Sequence, residues 1–208
     1  MLEGKFIKKS FRSKGTKRRL FLAISASGLI LAAVLVSSIN NQENLNFSGL
    51  LETIAKGESN GNYNAYYGHP NNKKLMLTKM SIGEVLDWQE KYVKDGSPSS
   101  AAGKYQIVRP TLEGLVYELG IDSDLPYDEQ MQDKLAIALI ERRGVRDFSK
   151  GKISREQFAH NLSKEWAALP RVLGKNPNQS YYAGDGLNKV QVTRAEIFSS
   201  IETLDNKE

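Results

Sequence analysis

Residues 47–61, FSGLLETIAKGESNG, carry the reading from which the rest of the chain follows. Phe47, Leu50, Leu51, Ile54 and Ala55 fall at i, i+3, i+4, i+7 and i+8, the apolar stripe of one helix lying on a core. Gly57 stands where such a helix is expected to stop, which leaves Glu58 just past its end. The carboxyl end of a helix carries partial negative charge, so a carboxyl group there is expected to hold its proton to higher pH. That is the property a general acid needs. A Glu at a helix end is more often plain surface charge, so this position alone does not decide a function.

Working outward, the same 3.6-residue periodicity recurs. Ser81-Ile82-Gly83-Glu84 is a capping-box pattern opening a helix with Val85, Trp88 and Tyr92. Pro110 suits the first turn of a helix with Leu112, Leu115, Val116 and Leu119, closed by Gly120. Another is expected from about Asp128, using Met131, Leu135, Ala138 and Leu139 before Gly144. Ser154-Arg155-Glu156-Gln157 opens a further one, with Phe158, Ala159, Leu162, Trp166 and Leu169 ahead of Pro170. After a polar loop from Gly174 to Gly186, a last helix is expected to carry Leu187, Val190, Ile197, Phe198 and Ile201. Residues 60–79 are rich in Asn, Gly and Tyr and read as a loop or small hairpin region. Asp95–Ser100, DGSPSS, is a loop by its turn residues. These elements predict a mainly α domain with a small β or irregular portion after its first helix, over residues 40–208.

The N-terminal part is of a different kind. The chain carries 29 Lys and Arg against 24 Asp and Glu. Eight of the basic residues and one acid lie within residues 1–40, so residues 41–208 have a formal charge of −2. The basic excess therefore belongs to a leader, and a nucleic-acid-binding body loses its support. Residues 20–39, LFLAISASGLILAAVLVSSI, run without a charge and are long enough to span a bilayer as a transmembrane helix. The basic residues 1–19 would then stay in the cytoplasm and the body would face outward, in the periplasm. Nine of those twenty residues are Gly, Ala or Ser, so retention, cleavage and later release from the membrane all stay open.

The absence of cysteine excludes thiol catalysis, thiolate zinc sites and disulfide scaffolds. His69 and His160 stand apart without metal-ligand spacing, so neither a metal nor another cofactor is expected. His69, in Gly-His-Pro, reads as a turn residue.

The segment IAKGESNG at 54–61 resembles the catalytic-glutamate segment of lambda-phage-type endolysins and related lytic transglycosylases. SAAGKYQI at 100–107 resembles their small-Gly-basic-Tyr-Gln segment, and KEWAALP at 164–170 their late Trp-Ala-Ser-Leu-Pro helix end. SYYAGDG at 180–186 is similar to a loop of phage and prophage lysozyme-like proteins. The resemblance spans about residues 45–200. It implies the lysozyme-like fold, a monomer acting on peptidoglycan glycan strands, and Glu58 as catalytic acid. It implies substrate-binding roles for Ser59, Tyr63, Ser100, Tyr105, Gln106 and Tyr182. Tyr66 and Tyr67 offer further rings for sugar faces, whereas Trp166 completes an apolar stripe and reads as core.

Inverting hydrolysis needs a second carboxylate to activate water. Hydrolytic phage lysozymes place an Asp soon after the Glu, but residues 59–83 contain neither Asp nor Glu. Asp95, on the DGSPSS loop, is the nearest later candidate that a loop could bring in, and it reads as a turn former before Gly96. A single acid favours lytic transglycosylation of the MurNAc–GlcNAc β-1,4 linkage, with 1,6-anhydro products. A hydrolytic muramidase and a non-catalytic peptidoglycan-binding protein of the same fold are the alternatives.

Overall fold

The computed structural model describes residues 45–205. The expected membrane span lies outside the described residues. Among the described residues no helix is long and apolar enough to cross a membrane.

The described chain is mainly helical: α1 Ser48–Ser59, α2 Ile82–Lys94, α3 Arg109–Leu119, α4 Glu129–Arg142, α5 Val145–Ser149, α6 Arg155–Leu162 and α7 Arg194–Glu202. Its β content is confined to isolated bridges, among them Tyr66↔Ala102 and Ala102↔Ile107. The region 60–79 is accordingly a loop with a short 3-10 turn, Leu77–Lys79, and no hairpin ladder. Three asparagines hold that loop in place of strand pairing. Asn72 donates to the Asn64 and Leu75 carbonyls, Asn62 to those of Pro70 and Asn72, and Asn64 accepts from the Thr78 amide.

α1 lies at the centre, against α7 and α4, while α2 packs on α3 and α6 on α7. Leu50, Leu51, Ile54 and Ala55 are buried as the stripe requires, together with Leu135, Leu139, Phe158, Leu162 and Ile197 from the surrounding helices. The Asn46 amide donates to the Leu204 carbonyl at 3.1 Å, so the two ends of the domain meet. Caps are where the sequence places them. Ser81 and Glu84 form both halves of a capping box, Asp128 and Ser154 cap α4 and α6, and Gly120 ends α3 in the left-handed conformation.

Three expectations are corrected. α1 does not stop at Gly57; it runs through Ser59 and is turned back by Asn60 (φ 54) and Gly61 (φ 79). Asn is the residue other than Gly that most readily enters this region, which is how the helix gains another half turn. α6 ends at Leu162, so Trp166 and Leu169 reach the core from successive tight turns rather than from a helical face. α7 begins only after Thr193, whose side chain and that of Glu196 make a capping box. Leu187 and Val190 belong to the polar loop, and Leu187 is exposed.

Candidate active site

Glu58 lies in the last turn of α1 with its carboxyl directed into the protein. Its Oε1 accepts a hydrogen bond from the Ala168 amide at 3.0 Å. Burial pushes its pKa from the ordinary 4.5 up to about 7, against the smaller downward pull of the Ala168 N–H. The cause therefore differs from the one read in the sequence: desolvation of the charged form dominates. A carboxyl that is half protonated near neutrality can give a proton and later take one.

Gly57 explains how Ala168 gets so close. A side chain at this position would meet Val192 Cγ2 at 2.8 Å and Ala168 Cβ at 2.9 Å. Glycine here is thus a contact residue in a continuing helix: it admits the 168–192 backbone against the last turn of α1. Ala168 is fixed in turn, since its carbonyl accepts from the Gln191 and Val192 amides at 2.9 and 3.2 Å.

A wall beside the end of α1 is built from residues 100–107, joined to it where the Ser59 hydroxyl meets the Lys104 carbonyl. Ala102 and Ile107 exchange two backbone hydrogen bonds, which closes Gly103–Gln106 into a tight loop with Gln106 at φ 48. Two buried glutamines pin this loop. Gln89 of α2 donates to the Ser100 and Ile107 carbonyls at 2.7 and 2.9 Å. Gln132 of α4 accepts from the Lys104 amide at 2.8 Å and donates to the Tyr63 and Tyr127 carbonyls. A side chain on Gly103 (φ 82) would strike Gln132 Oε1 at 2.4 Å. Beside Gln132, Asp133 accepts from the Tyr105 hydroxyl at 2.6 Å and from the Tyr63 hydroxyl at 3.0 Å. Lys104 Nζ stands 3.6 Å from the same carboxylate and donates to the Tyr63 hydroxyl.

The residues expected to touch substrate divide into two groups. Ser59 is 1% exposed and donates to the Lys104 carbonyl at 2.7 Å, joining α1 to the 100–107 wall. Ser100 is buried and accepts from the Arg109 amide at 2.9 Å, which caps α3. Tyr105 is 1% exposed, and burial pushes its phenol pKa up. All three stand behind the surface as struts of the wall. Tyr63 and Gln106 are half-buried at its edge, and Gln106 Nε2 donates to the Gly103 carbonyl. Tyr182 is exposed and donates to the Lys164 carbonyl at 2.6 Å, tying the 180–186 loop to the turn that precedes Trp166. Trp166 is in the core, as its stripe indicated, and its Nε1 donates to the Tyr105 carbonyl at 3.3 Å. Tyr66 packs edge-on to Trp88 and Tyr92, and the Tyr67 carbonyl accepts from Tyr92.

The one later acid the sequence offered as a second carboxylate is engaged elsewhere. Asp95 ends α2 and pairs with Lys91 at the exposed surface. Glu165, two residues before Ala167, is clamped by Arg143 through contacts of 2.7 and 2.5 Å. Among the described residues no group of His, Cys, Asp or Glu is arranged to hold a metal ion. Gln89, Gln132 and Asp133 carry no sequence signal of their own. They lie on helices whose apolar stripes absorb attention, and only the packing reveals that they face a polar loop.

The endolysin family model matches residues 48–194, which contain α1, the 100–107 loop and the Trp166–Pro170 turn. The chain belongs to the endolysin family. For this endolysin, family membership implies a peptidoglycan-degrading enzyme of glycosidase type. No curated protein and no solved structure matches the chain.

Proposed function

We propose that this endolysin is a lytic transglycosylase of lysozyme-like fold, and that Glu58 serves it as acid and then base. The observation that carries the reading is a carboxyl held by burial at a pKa of about 7, with the Ala168 amide as its polar partner. In the first step Glu58 gives its proton to the glycosidic oxygen between MurNAc and GlcNAc as the bond to the anomeric carbon breaks. In the second, the Glu58 carboxylate takes the proton of the MurNAc 6-hydroxyl, whose oxygen closes on the anomeric carbon as a 1,6-anhydro ring. The sugar supplies its own nucleophile, so no carboxylate is needed to activate water. That fits the acid-free stretch 59–83, the surface pairing of Asp95 and the clamped Glu165. The Gln106 amide and the Tyr63 and Tyr182 rings, all at the surface, are the groups available to orient the sugar.

The work would be done outside the inner membrane, delivered there by residues 20–39. The test is a digest of purified peptidoglycan by the full chain, with products read by mass spectrometry. Anhydro-muramic ends are expected, and Glu58→Gln is expected to yield none. Reducing ends carrying added water would replace this mechanism with hydrolysis, and no products at all would replace it with binding.

A further inference from the structure

Three segments far apart in the chain meet at Glu58 in a closed ring of hydrogen bonds. The Ala168 amide donates to the Glu58 carboxyl at 3.0 Å. The next residue of α1, Ser59, donates its hydroxyl to the Lys104 carbonyl at 2.7 Å. The following carbonyl of that loop, Tyr105, accepts from the indole Nε1 of Trp166 at 3.3 Å. The Leu169 amide donates to the Trp166 carbonyl at 3.2 Å, and the turn so formed carries Ala168 back to the acid.

The members of the ring differ in what else holds them. The 104–105 stretch is a fixed reference: Gln132 accepts from the Lys104 amide at 2.8 Å, and Ala102 and Ile107 pair on either side of it. Gln106 stands in the left-handed region at φ 48, a conformation that persists only where the surroundings impose it. The 166–169 turn has less support. Gln191 and Val192 hold the Ala168 carbonyl from the segment before α7, but among the described residues the indole bond is the one hydrogen bond between the turn and the loop. Packing alone does not call for it. Trp166 is 3% exposed, and a Phe fills apolar space without bringing in an N–H that must find an acceptor. Charged groups on the same segments are engaged away from the ring, Lys56 with Glu196, Lys104 with Asp133 and Tyr63, and Glu165 with Arg143. Burial and the Ala168 amide are accordingly the influences on the Glu58 proton.

We propose that Trp166 is a positioning residue for the acid: its indole N–H fixes the 166–169 turn to the Tyr105 carbonyl and so aims the Ala168 amide at the Glu58 carboxyl. Trp166 is buried and meets no sugar; it acts through Ala168. The amide favours the charged carboxylate, so it steadies Glu58 in the half of the reaction in which the acid has given up its proton. The proposal rests on Glu58 being the acid of the reaction, and it holds for transglycosylation and hydrolysis alike.

The test deletes the N–H and reads the acid with no substrate present. Full chain in mild detergent, carrying carbon-13 at its glutamate carboxyl carbons, is titrated by NMR as wild type and as Trp166→Phe, the signal being assigned by its loss in Glu58→Gln. Weakening the amide bond is expected to raise the proton affinity of Glu58 by up to about tenfold, which moves the midpoint upward from about 7. On solubilised peptidoglycan, kcat is expected to fall about tenfold with KM unchanged. Trp88→Phe, the same exchange at a tryptophan with no bond to the loop, should leave the midpoint in place. A packing role alone has the opposite sign: the space left by the smaller ring admits water, and the midpoint falls toward 4.5. A downward or absent shift in Trp166→Phe, or a change in KM with kcat intact, would overturn the proposal. Where Trp166→Phe does not fold, benzothienylalanine at 166 keeps the bicyclic ring, puts sulfur in place of the N–H, and takes the same test with the same expected results. The titration does not depend on the products, so this proposal and the transglycosylase reading fail separately.

Discussion

Replacing Glu58 with glutamine is expected to remove activity and, above pH 7, to make the protein more stable. The unfolded chain ionises this group near 4.5, whereas burial delays it to about 7 in the folded state. Between those values the folded state holds a proton that the unfolded state has lost, so wild-type stability falls as pH rises. Below 4.5 both states are protonated and the burial of Glu58 costs nothing extra; above 7 both are ionised and the full cost is present. At about 1.4 kcal/mol per pH unit, reduced somewhat for the access Glu58 retains, that cost is about 2 to 3 kcal/mol. Glutamine keeps an oxygen for the Ala168 amide and never ionises. Glu58→Gln should therefore match wild type in urea unfolding at pH 4 and exceed it by about 2 to 3 kcal/mol at pH 8. The wild-type rate should fall as pH passes about 7, where the acid loses its proton. A variant no more stable than wild type at pH 8, or a difference that does not change with pH, would refute burial as the cause.

Three further outcomes follow from the packing. Gly57→Ala should lower stability by about 1 to 2 kcal/mol in thermal unfolding, because the methyl group meets Val192 and Ala168; a gain, as for an ordinary helical glycine, would show that the contact yields. Asp133→Ala should cost about 2 kcal/mol by leaving the Tyr105 hydroxyl without its acceptor, and urea midpoints unchanged from wild type would remove its role in the wall. Tyr182→Phe should speed amide hydrogen exchange in residues 176–188 several-fold with little change in the melting temperature; unchanged exchange would mean that the Lys164 contact does not hold the loop.

The helices were legible because their periodicity and caps are local properties. The stripe of 47–55 and the caps at Ser81, Asp128, Ser154 and Gly120 stand in the structure as the residues alone indicate. Errors came where a local signal served a distant contact. Gly57 looks like a terminator because glycine ends helices, yet it is small for the sake of Ala168, more than a hundred residues later. Trp166 and Leu169 keep helical spacing but reach the core through turns, since apolar spacing reports which side is buried and not the path of the chain. Ser59, Ser100 and Tyr105 read as substrate-binding groups but are buried, since a motif does not distinguish a surface group from the strut behind it.

The amino-acid sequence by itself determined the helical class, the separate character of residues 1–40, the single acid at 58 and the empty stretch after it. Each of these depends on residue type and spacing along the chain, which need no partner. The tertiary structure decided why Glu58 is an acid near neutrality. Its proton is held by desolvation beside the Ala168 amide, 110 residues away along the chain, and burial is a property that no single segment possesses.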